Sequence, residues 1–282
     1  MNSAWEDPRR VLARHGMSPK RSFSQNFLIS PRIVREIVEA CALTPDRRVV
    51  ELGPGCGTLT SALAAAGARV IAVERDPDML QILEAESDPA RIQLLRGDAK
   101  QVDFAALRLS QDERLIVAGN LPYAITGAIL RHLIEHASLL ERAVLMVQRE
   151  VRDRLVAAAD TSAYGALTLF ATQVFRVESV VHVPRTAFHP APKVTSSVVR
   201  LTPWETPRAP VSAGFERVVR AAFQARRKTL RNALTQQLGA AVSQQILERA
   251  SIDGQRRGET LSIEEFGRLA SELDAIPSAD QP

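Results

Sequence analysis

A short apolar strand that runs directly into a glycine-rich turn and a helix is the feature that most restricts the fold of this chain. The run Arg48–Leu52 leads into the sequence GPGCGTLT, and an Ala/Leu-rich helix is expected from Thr58. Further strand-like runs follow at Arg69–Glu74 and in the segments RIQLLRGD, RLIVAGN and RAVLMVQ, with helical patterns from Asp76 and over residues 127–137. This alternation predicts an α/β fold, a mostly parallel Rossmann-like sheet with helices on both faces.

The remainder of the chain predicts a second, smaller domain. Two β-rich runs, Arg176–Val183 and Ser196–Pro203, are expected to close the sheet. The segment TPWETPRAP then places three prolines within eight positions, which is typical of a linker. Only helical patterns follow. The predicted organisation is a basic arm that contributes to the cofactor site over residues 1–30, a catalytic domain over 31–203 and a helical RNA-binding domain over 204–282.

The glycine-rich turn indicates a nucleoside-type cofactor. Glycines here let a ligand approach the backbone and the helix N-terminus. The dinucleotide pattern GxGxxG fails because Thr58 occupies the third glycine position, and the spacing is ExGxGxG, starting at Glu51. The next two strands end near Glu74 and Asp98, where carboxylates can accept from ribose hydroxyls and from an adenine amine. Without a pyrophosphate cradle, S-adenosylmethionine fits this pattern better than NAD.

A second loop, NLPY, follows the strand that ends at Asn120. An ordinary turn is one interpretation. A more specific one starts from the exocyclic amine of adenine, whose lone pair is delocalised into the ring. The side-chain carbonyl of Asn120 and a backbone carbonyl can accept from that amine and aim it at an electrophilic methyl group. Pro122 restricts the loop, and Tyr123 offers a face on which a flipped base can stack.

Several segments together resemble the ribosomal RNA adenine dimethyltransferases, particularly the branch that dimethylates two adjacent adenines near the 3′ end of 16S rRNA. They are RSFSQNFL, ELGPGCGTLT, GNLPY, FHPAPKVTSSVVRL, AFQARRKTLRNAL and LSIEEFGRLA, and they extend from about residue 20 to about residue 270. The resemblance implies S-adenosylmethionine as methyl donor, no metal, and a helical C-terminal domain that binds 16S rRNA in the small subunit or its precursor.

The resemblance also implies the roles of individual residues. The implied cofactor contacts are Asn26, Leu28, Gly53, Glu74, Asp98 and Asn120. The implied target-base site consists of Asn120, Leu121, Pro122 and Tyr123, with Phe188 as a second aromatic wall. Leu121 either shapes room for a monomethylated amine or packs in the core. The chain departs from the family's usual pattern at Ala124 and Ala191, which puts the fine geometry of the target-base site in question.

The positive charge of the chain is concentrated in two segments. The net charge of +4 is too small to indicate a partner by itself, but residues 1–30 carry five basic and two acidic side chains. Residues 215–232 carry six basic side chains against Glu216 alone. An apolar stripe from Phe215 to Phe223 predicts an amphipathic helix with a break near Ala225. The predicted RNA-contacting residues on its opposite side are Arg217, Arg220, Arg227, Lys228 and Arg231.

Location and assembly follow from what the sequence lacks. The first residues do not have the pattern of a signal peptide, and no apolar run reaches the ~20 residues of a membrane span. The two cysteines, Cys41 and Cys56, have no zinc-site spacing. We therefore expect a reduced, cytoplasmic protein with no membrane partner. The sequence does not indicate an oligomeric state, and a monomer is the default expectation.

Three other functions are compatible with parts of the sequence. His132–His136 matches the H-x-x-E-H pattern of inverted zinc peptidases, although no third ligand can be identified. A non-catalytic ribosome-assembly or transcription factor could use the same fold, but the intact Glu74, Asp98 and NLPY argue against it. A large-subunit rRNA methylase of the antibiotic-resistance type would share fold and chemistry, and the similarity of the C-terminal segment favours the small-subunit branch.

Overall fold

The computed structural model describes residues 5–20, 25–225 and 227–276. These residues belong to two compact units. The sheet unit comprises Met1–Arg152 and Val177–Pro203, and the helical unit comprises Asp153–Arg176 and Trp204–Pro282. Residues 21–24 of the predicted RSFSQNFL motif and Arg226 of the basic segment lie outside the described residues.

The secondary structure follows the alternation expected from the sequence. In chain order the elements are α1 (Pro8–Arg14), β1 (Phe27–Leu28), α2 (Pro31–Ala40), β2 (Arg48–Leu52), α3 (Thr58–Ala65), β3 (Arg69–Glu74), α4 (Pro77–Glu86), β4 (Ile92–Arg96), β5 (Leu115–Asn120), α5 (Thr126–Glu135), β6 (Leu140–Gln148), α6 (Arg149–Leu155), α7 (Ala166–Val174), β7 (Phe175–Val183), β8 (Phe188–His189), β9 (Ser196–Pro203), α8 (Ala213–Gln224), α9 (Leu230–Leu238), α10 (Ala240–Arg249) and α11 (Ile263–Asp274). Within the described part of the chain, no helix has both the length and the apolar character needed to cross a membrane.

The main sheet has seven strands in the order β4-β3-β2-β5-β6-β9-β7. The pairs β4–β3, β3–β2, β2–β5 and β5–β6 are parallel, and β9 runs antiparallel to β6. The chain adds β3 and β4 on one side of β2 and then returns to place β5 on the other side. This reversal between β2 and β5 is a topological switch point, the place where open α/β sheets bind ligands.

The central strands are apolar because both faces of the sheet are covered. Along β5, every residue from Leu115 to Gly119 is buried, and β2 is buried from Val49 to Leu52. Such continuous apolar runs are typical of parallel strands between two helical layers. Ile33 and Ile37 of α2, together with Leu63 of α3, pack in the core cluster of this unit. The predicted Rossmann-like arrangement is confirmed, including β7 and β9 as the strands that close the sheet.

The helical unit also follows its sequence pattern. In α8, Phe215, Val218, Val219 and Ala222 are buried, and the helix ends at Gln224, so the predicted break near Ala225 is confirmed. Ser212 and Ser262 cap α8 and α11 by accepting from the backbone N–H three residues later, which satisfies donors that the helix itself leaves unpaired.

One predicted boundary differs from the structure. The expected catalytic domain extended over residues 31–203, but Asp153–Arg176 belongs to the helical unit. The physical reason is the packing of its apolar side chains, because Tyr164 and Leu169 are buried in the core cluster formed by α8–α11. The Tyr164 hydroxyl also donates to the carbonyl oxygen of Leu261 at 2.8 Å. The division at Pro203 coincides with the end of β9, as expected.

Replacing Tyr164 by Phe should destabilise the helical unit. The change removes a buried hydrogen bond and leaves the Leu261 carbonyl without that donor, which costs about 1 kcal/mol. Each unit contains one tryptophan, Trp5 or Trp204, so a Trp5→Phe background reports on the helical unit alone. We expect a lower urea midpoint for Trp204 fluorescence in Tyr164→Phe. Tyr123→Phe, which loses a hydroxyl in the sheet unit, is the control, and equal midpoints for the two variants would contradict this assignment.

Candidate active site

The glycine-rich loop between β2 and α3 adopts conformations that require glycine. Gly55 and Gly57 have φ values of +58° and +87°, in the left-handed region that L side chains disfavour. A Cβ at Gly55 would lie 3.0 Å from the Phe27 ring, so the loop also needs the absence of a side chain for packing. The backbone therefore approaches the arm residue Phe27 closely, and the N-terminus of α3 is directed towards the carboxyl ends of the strands.

The carboxylate of Glu74 connects this loop with the next one. Its Oε2 accepts from the N–H of Gly55 at 3.1 Å, and its Oε1 accepts from Arg75 at 2.7 Å and from Asp76 at 2.8 Å. Glu74 is only 8% exposed, and burial raises its pKa although the three N–H donors act in the opposite direction. The side chain predicted to bind ribose hydroxyls is therefore held in place at the end of β3.

Glu51 is a second buried acid at the same edge of the sheet. It is 1% exposed, and its Oε2 has no hydrogen-bond partner among the described residues. Burial raises its pKa to about 8, and the nearby charge of Glu74 acts in the same direction. A carboxyl group in this state is largely protonated at neutral pH and can donate a hydrogen bond into the cavity. In the sequence, Glu51 is the first residue of the ExGxGxG pattern. An acidic residue between the apolar residues Val50 and Leu52 was the signal that could have indicated a functional role for Glu51.

Asn120 at the end of β5 is oriented by the N-terminal arm. Its Nδ2 donates to the backbone carbonyl oxygen of Asn26 at 2.9 Å. Because a carbonyl oxygen only accepts, the amide nitrogen must face Asn26, and Oδ1 is the atom left to accept from a substrate amine. Asn26, predicted as a cofactor contact, thus also orients the predicted amine-binding residue from 94 positions away.

The rest of the NLPY loop is held by hydrogen bonds to neighbouring elements. The N–H of Leu121 donates to the carbonyl oxygen of Met146 on β6 at 3.2 Å. The carbonyl oxygen of Pro122 accepts from the hydroxyl of Thr126 at 3.1 Å, at the start of α5. The hydroxyl of Tyr123 lies 2.8 Å from Ser196 Oγ, and burial raises the pKa of the phenol. The contact with Ser196 therefore holds the hydroxyl end of the Tyr123 side chain in place.

A further set of contacts joins the N-terminal arm to the N-terminus of α4. Lys20 Nζ lies 2.9 Å from Asp76 Oδ1, and Gln25 Nε2 donates to Asp76 Oδ2 at 2.8 Å. Gln25 Oε1 accepts from the backbone N–H of Lys20 at 2.8 Å. Asp76 is fully buried and also caps α4. The sequence indicated Asp76 only as a helix start, since its partners lie more than 50 positions away and no local pattern reveals them.

These loops and the arm enclose a cavity of about 210 Å³ at the carboxyl ends of β2–β5. All six predicted cofactor contacts line it, namely Asn26, Leu28, Gly53, Glu74, Asp98 and Asn120. Four of the five predicted target-base residues line it as well, namely Asn120, Leu121, Pro122 and Tyr123. Gln25 and Glu51, which were not among the predicted binding residues, also line the cavity.

The fifth predicted target-base residue, Phe188, is buried beside the arm. It is absent from the described residues that line the cavity and is 3% exposed, within the core of the sheet unit. Its backbone pairs with Leu28 in the short antiparallel pair β1–β8, so it supports the arm from the side. The role of Phe188 as a second aromatic wall of the target-base site stays a prediction.

The five predicted RNA-contacting residues are exposed in the helical unit. Arg217 and Arg220 lie on α8, Arg227 and Lys228 follow its end, and Arg231 lies in the first turn of α9. Among the described residues, only Arg220 of these five forms an ion pair, at 2.5 Å from Glu216. The others present their charges to solvent, as a phosphate-contacting surface requires.

Known proteins match the chain over nearly its whole length. A family profile described as ribosomal RNA adenine dimethylase matches residues 16–275. The ribosomal RNA small subunit methyltransferase A of Myxococcus xanthus is 43% identical over 279 residues, covering 97% of this chain and 98% of that protein. The Pseudomonas aeruginosa protein of the same name is 40% identical over 261 residues, covering 92% and 96%.

Solved structures agree with this result. A dimethyladenosine transferase from Plasmodium falciparum has a TM-score of 0.73 at 26% identity, covering 88% of this chain and 97% of that one. The 23S rRNA methyltransferase ErmE has a TM-score of 0.65 at 29% identity, covering 88% and 100%. The fold and the cavity define a Rossmann-like methyltransferase. The chain belongs to the ribosomal RNA adenine dimethylase family, which confirms the resemblance found in its motifs.

Replacing Glu51 by Gln should remove a pH-dependent loss of stability. The pKa of Glu51 is raised from 4.5 to about 8, so the folded state keeps a proton that the unfolded chain releases. The contribution of Glu51 to the free energy of unfolding is therefore most favourable below about pH 4.5 and is lost as the pH rises towards 8. Gln cannot ionise. We therefore expect the free energy of unfolding of Glu51→Gln, relative to wild type, to rise between about pH 5 and about pH 8 by at most ~5 kcal/mol.

Guanidinium denaturation at several pH values measures this difference. Glu84→Gln, which changes an exposed acid on α4, is the matched control and should follow the wild-type profile. Parallel profiles for wild type and Glu51→Gln would show that the pKa of Glu51 is not raised.

Proposed function

We propose that this protein uses S-adenosylmethionine to dimethylate the exocyclic amines of two adjacent adenines in the 3′-terminal hairpin loop of 16S rRNA. It acts in the cytoplasm as a monomer, on the small ribosomal subunit or its precursor, during subunit biogenesis. The observation that carries the proposal is the orientation of Asn120. Its Oδ1 is the acceptor left at the end of β5, beside the glycine-rich loop and Tyr123.

The cavity fits S-adenosylmethionine by the chemistry of its wall. It combines the glycine-rich loop with Glu74 and Asp98, whose carboxylates can accept from hydroxyl and amino groups. The buried Oε2 of Glu51, without a partner among the described residues, is a further polar atom available to a ligand. The residues that would hold the cofactor are Asn26, Leu28, Gly53, Glu74, Asp98 and Asn120. When bound, the cofactor supplies an electrophilic methyl group on a sulfonium.

The protein's own contribution is to position the amine. The lone pair of the adenine amine is delocalised into the ring, and two carbonyl acceptors hold its N–H groups so that this lone pair points away from the ring plane. Asn120 Oδ1 is one acceptor, and a backbone carbonyl of the NLPY loop is the other. No strong base is needed, because a methylated, positively charged amine loses its proton readily. The rate gain comes from proximity and orientation.

Tyr123 provides the surface on which the flipped adenine stacks. Its hydroxyl contact with Ser196 Oγ at 2.8 Å fixes the position of the hydroxyl end of the ring. Leu121 lines the cavity although it is only 1% exposed, so it packs in the core and also bounds the space for a monomethylated amine. Packing in the core and shaping the space for the amine, the two roles that the sequence suggested for Leu121, are therefore compatible.

The exposed basic residues of the helical unit contact the RNA backbone. Phosphate contacts position a nucleic acid without reading its sequence, and exposed arginines and lysines supply them. Of the two basic segments, residues 215–232 lie in the helical unit, and the N-terminal arm carries its basic side chains before the residues Asn26 and Leu28 that line the cavity. In this proposal the two basic segments hold the RNA while the cavity holds adenine and methyl donor.

Two observations favour the small subunit over the large one. The first is that proteins named ribosomal RNA small subunit methyltransferase A are up to 43% identical to this chain over nearly its whole length. The second is that the Plasmodium falciparum dimethyladenosine transferase has a TM-score of 0.73, compared with 0.65 for the 23S enzyme ErmE, each over 88% of this chain. A non-catalytic assembly factor is disfavoured because every residue predicted to bind the cofactor lines the cavity.

The direct test is methyl transfer from tritiated S-adenosylmethionine to small subunits that lack the modification, followed by mapping of the modified nucleotides. We expect label on two adjacent adenines near the 3′ end of 16S rRNA. Asn120→Ala should lower the rate by roughly 100-fold, the scale for loss of one positioned polar group. Gln81→Ala, an exposed amide on α4, is the control.

Label on large subunits instead would identify the other branch of the family. Near-normal incorporation by Asn120→Ala would show that Asn120 does not orient the amine. Absence of label with cofactor bound, measured by calorimetry, would favour a non-catalytic factor.

Reversing Arg227 and Lys228 to Glu should weaken binding to small-subunit RNA and flatten its salt dependence. Each lost phosphate contact removes about 0.9 from the slope of log K against log salt, so the slope should fall by about 2. Arg35 and Arg131 are exposed arginines of the sheet unit, and reversing both changes the net charge equally. An unchanged slope in the Arg227/Lys228 variant, or an equal fall in the control, would contradict the proposed RNA surface.

A further inference from the structure

The C-terminal end of α5 carries a cluster of potential metal ligands. His132, Glu135 and His136 are spaced i, i+3 and i+4, which places them on one face of the helix. One ligand-capable atom from each of the three side chains lies within 4.8 Å of the others. Both histidines are half-buried, and Glu135 is exposed.

Backbone carbonyls fix the orientation of both imidazole rings. His132 Nε2 lies 2.8 Å from the carbonyl oxygen of Val102, and His136 Nδ1 lies 2.9 Å from the carbonyl oxygen of His132. A carbonyl oxygen only accepts, so each of these ring nitrogens carries the hydrogen. In the neutral rings, His132 Nδ1 and His136 Nε2 therefore hold the lone pairs. A histidine that donates its other N–H to a backbone carbonyl is typical of metal sites.

Aromatic packing limits the movement of the two rings. The fully buried Phe104 ring stacks on His132 at 5.2 Å and lies 5.9 Å from His136. The two imidazole rings are 4.4 Å apart. The histidines are thus ordered beside one another before any ion binds, and only the exposed Glu135 side chain has to be placed on binding.

We propose that His132, Glu135 and His136 bind one Zn²⁺ ion, or a similar borderline divalent cation. Two imidazole nitrogens and one carboxylate oxygen form a ligand set that Zn²⁺ prefers, and water completes the tetrahedron. The site is distinct from the methyl-transfer cavity, because none of the three side chains lines that cavity and the first of them, His132, lies about 9 Å along α5 from Thr126. Its effect is structural, since the ion holds the end of α5 beside the segment that contains Val102 and Phe104.

This site differs from the zinc-peptidase interpretation of the same motif. An inverted zinc peptidase uses the glutamate next to the second histidine as a base and takes a further ligand from another element. In the part of the chain that the structure describes, the cluster contains only these three side chains, and here the glutamate is a ligand. The motif therefore predicts metal binding without peptidase chemistry.

The test is Zn²⁺ binding by the untagged, metal-free chain, measured in competition with a chromogenic zinc indicator. We expect one Zn²⁺ per chain and an affinity at least ~10-fold weaker in His136→Gln. His182→Gln, which changes an exposed histidine on β7, should bind like wild type. Co²⁺ should give the visible absorption of a tetrahedral site in wild type, and this absorption should be lost in His136→Gln.

Glu135→Gln changes an exposed side chain and tests the carboxylate without risk to the fold. Circular dichroism identifies any variant that fails to fold. Equal Zn²⁺ affinity in wild type, Glu135→Gln and His136→Gln, or no binding by wild type, would overturn the site and leave the two histidines as a packing contact with Phe104. Weaker binding in His136→Gln alone would overturn the role of Glu135.

Discussion

The carboxylate of Glu74 organises the catalytic end of the sheet. It accepts N–H groups from Gly55 and from the two residues that follow β3, and so joins two loops that the sheet alone would leave separate. A buried carboxylate is costly unless hydrogen bonds compensate its lost hydration, and these three donors do so. Asp76, two residues after Glu74, accepts hydrogen bonds from Lys20 and Gln25 of the N-terminal arm. The glycine-rich loop, the loop after β3 and the arm are therefore joined by hydrogen bonds to two acids, Glu74 and Asp76.

The arm in turn orients Asn120, the residue on which the proposed chemistry depends. Its carbonyl at Asn26 determines which amide atom of Asn120 faces substrate, while the strand pair β1–β8 keeps this part of the arm beside Phe188. In the proposed mechanism, recognition of the adenine amine therefore depends on the position of the arm. The sequence predicted that the arm contributes to the cofactor site, and the proposal adds that it orients Asn120.

Much of the fold was predictable because its signals are local. The continuous apolar runs of β2 and β5, the glycines after β2 and the stripe of α8 each lie within a dozen residues of chain. The residues predicted to contact the cofactor line one cavity for a related reason, since most of them follow strand ends that a parallel sheet brings together. Two features have no local signal. Asp153–Arg176 belongs to the helical unit, and the Phe188 side chain is buried in the core of the sheet unit, because distant packing partners decide both.

The sequence by itself determined the class of fold, the family and the residue types that surround the cavity. These depend on periodicity, on glycine conformations and on motifs that are contiguous in the chain. Only the tertiary structure decided which atoms act. The orientation of the Asn120 amide, the missing partner of Glu51 Oε2 and the hydrogen positions on His132 and His136 depend on contacts with other elements or on buried geometry. Such contacts are made between groups far apart in sequence, and the free energy of a buried polar atom depends on each of its neighbours.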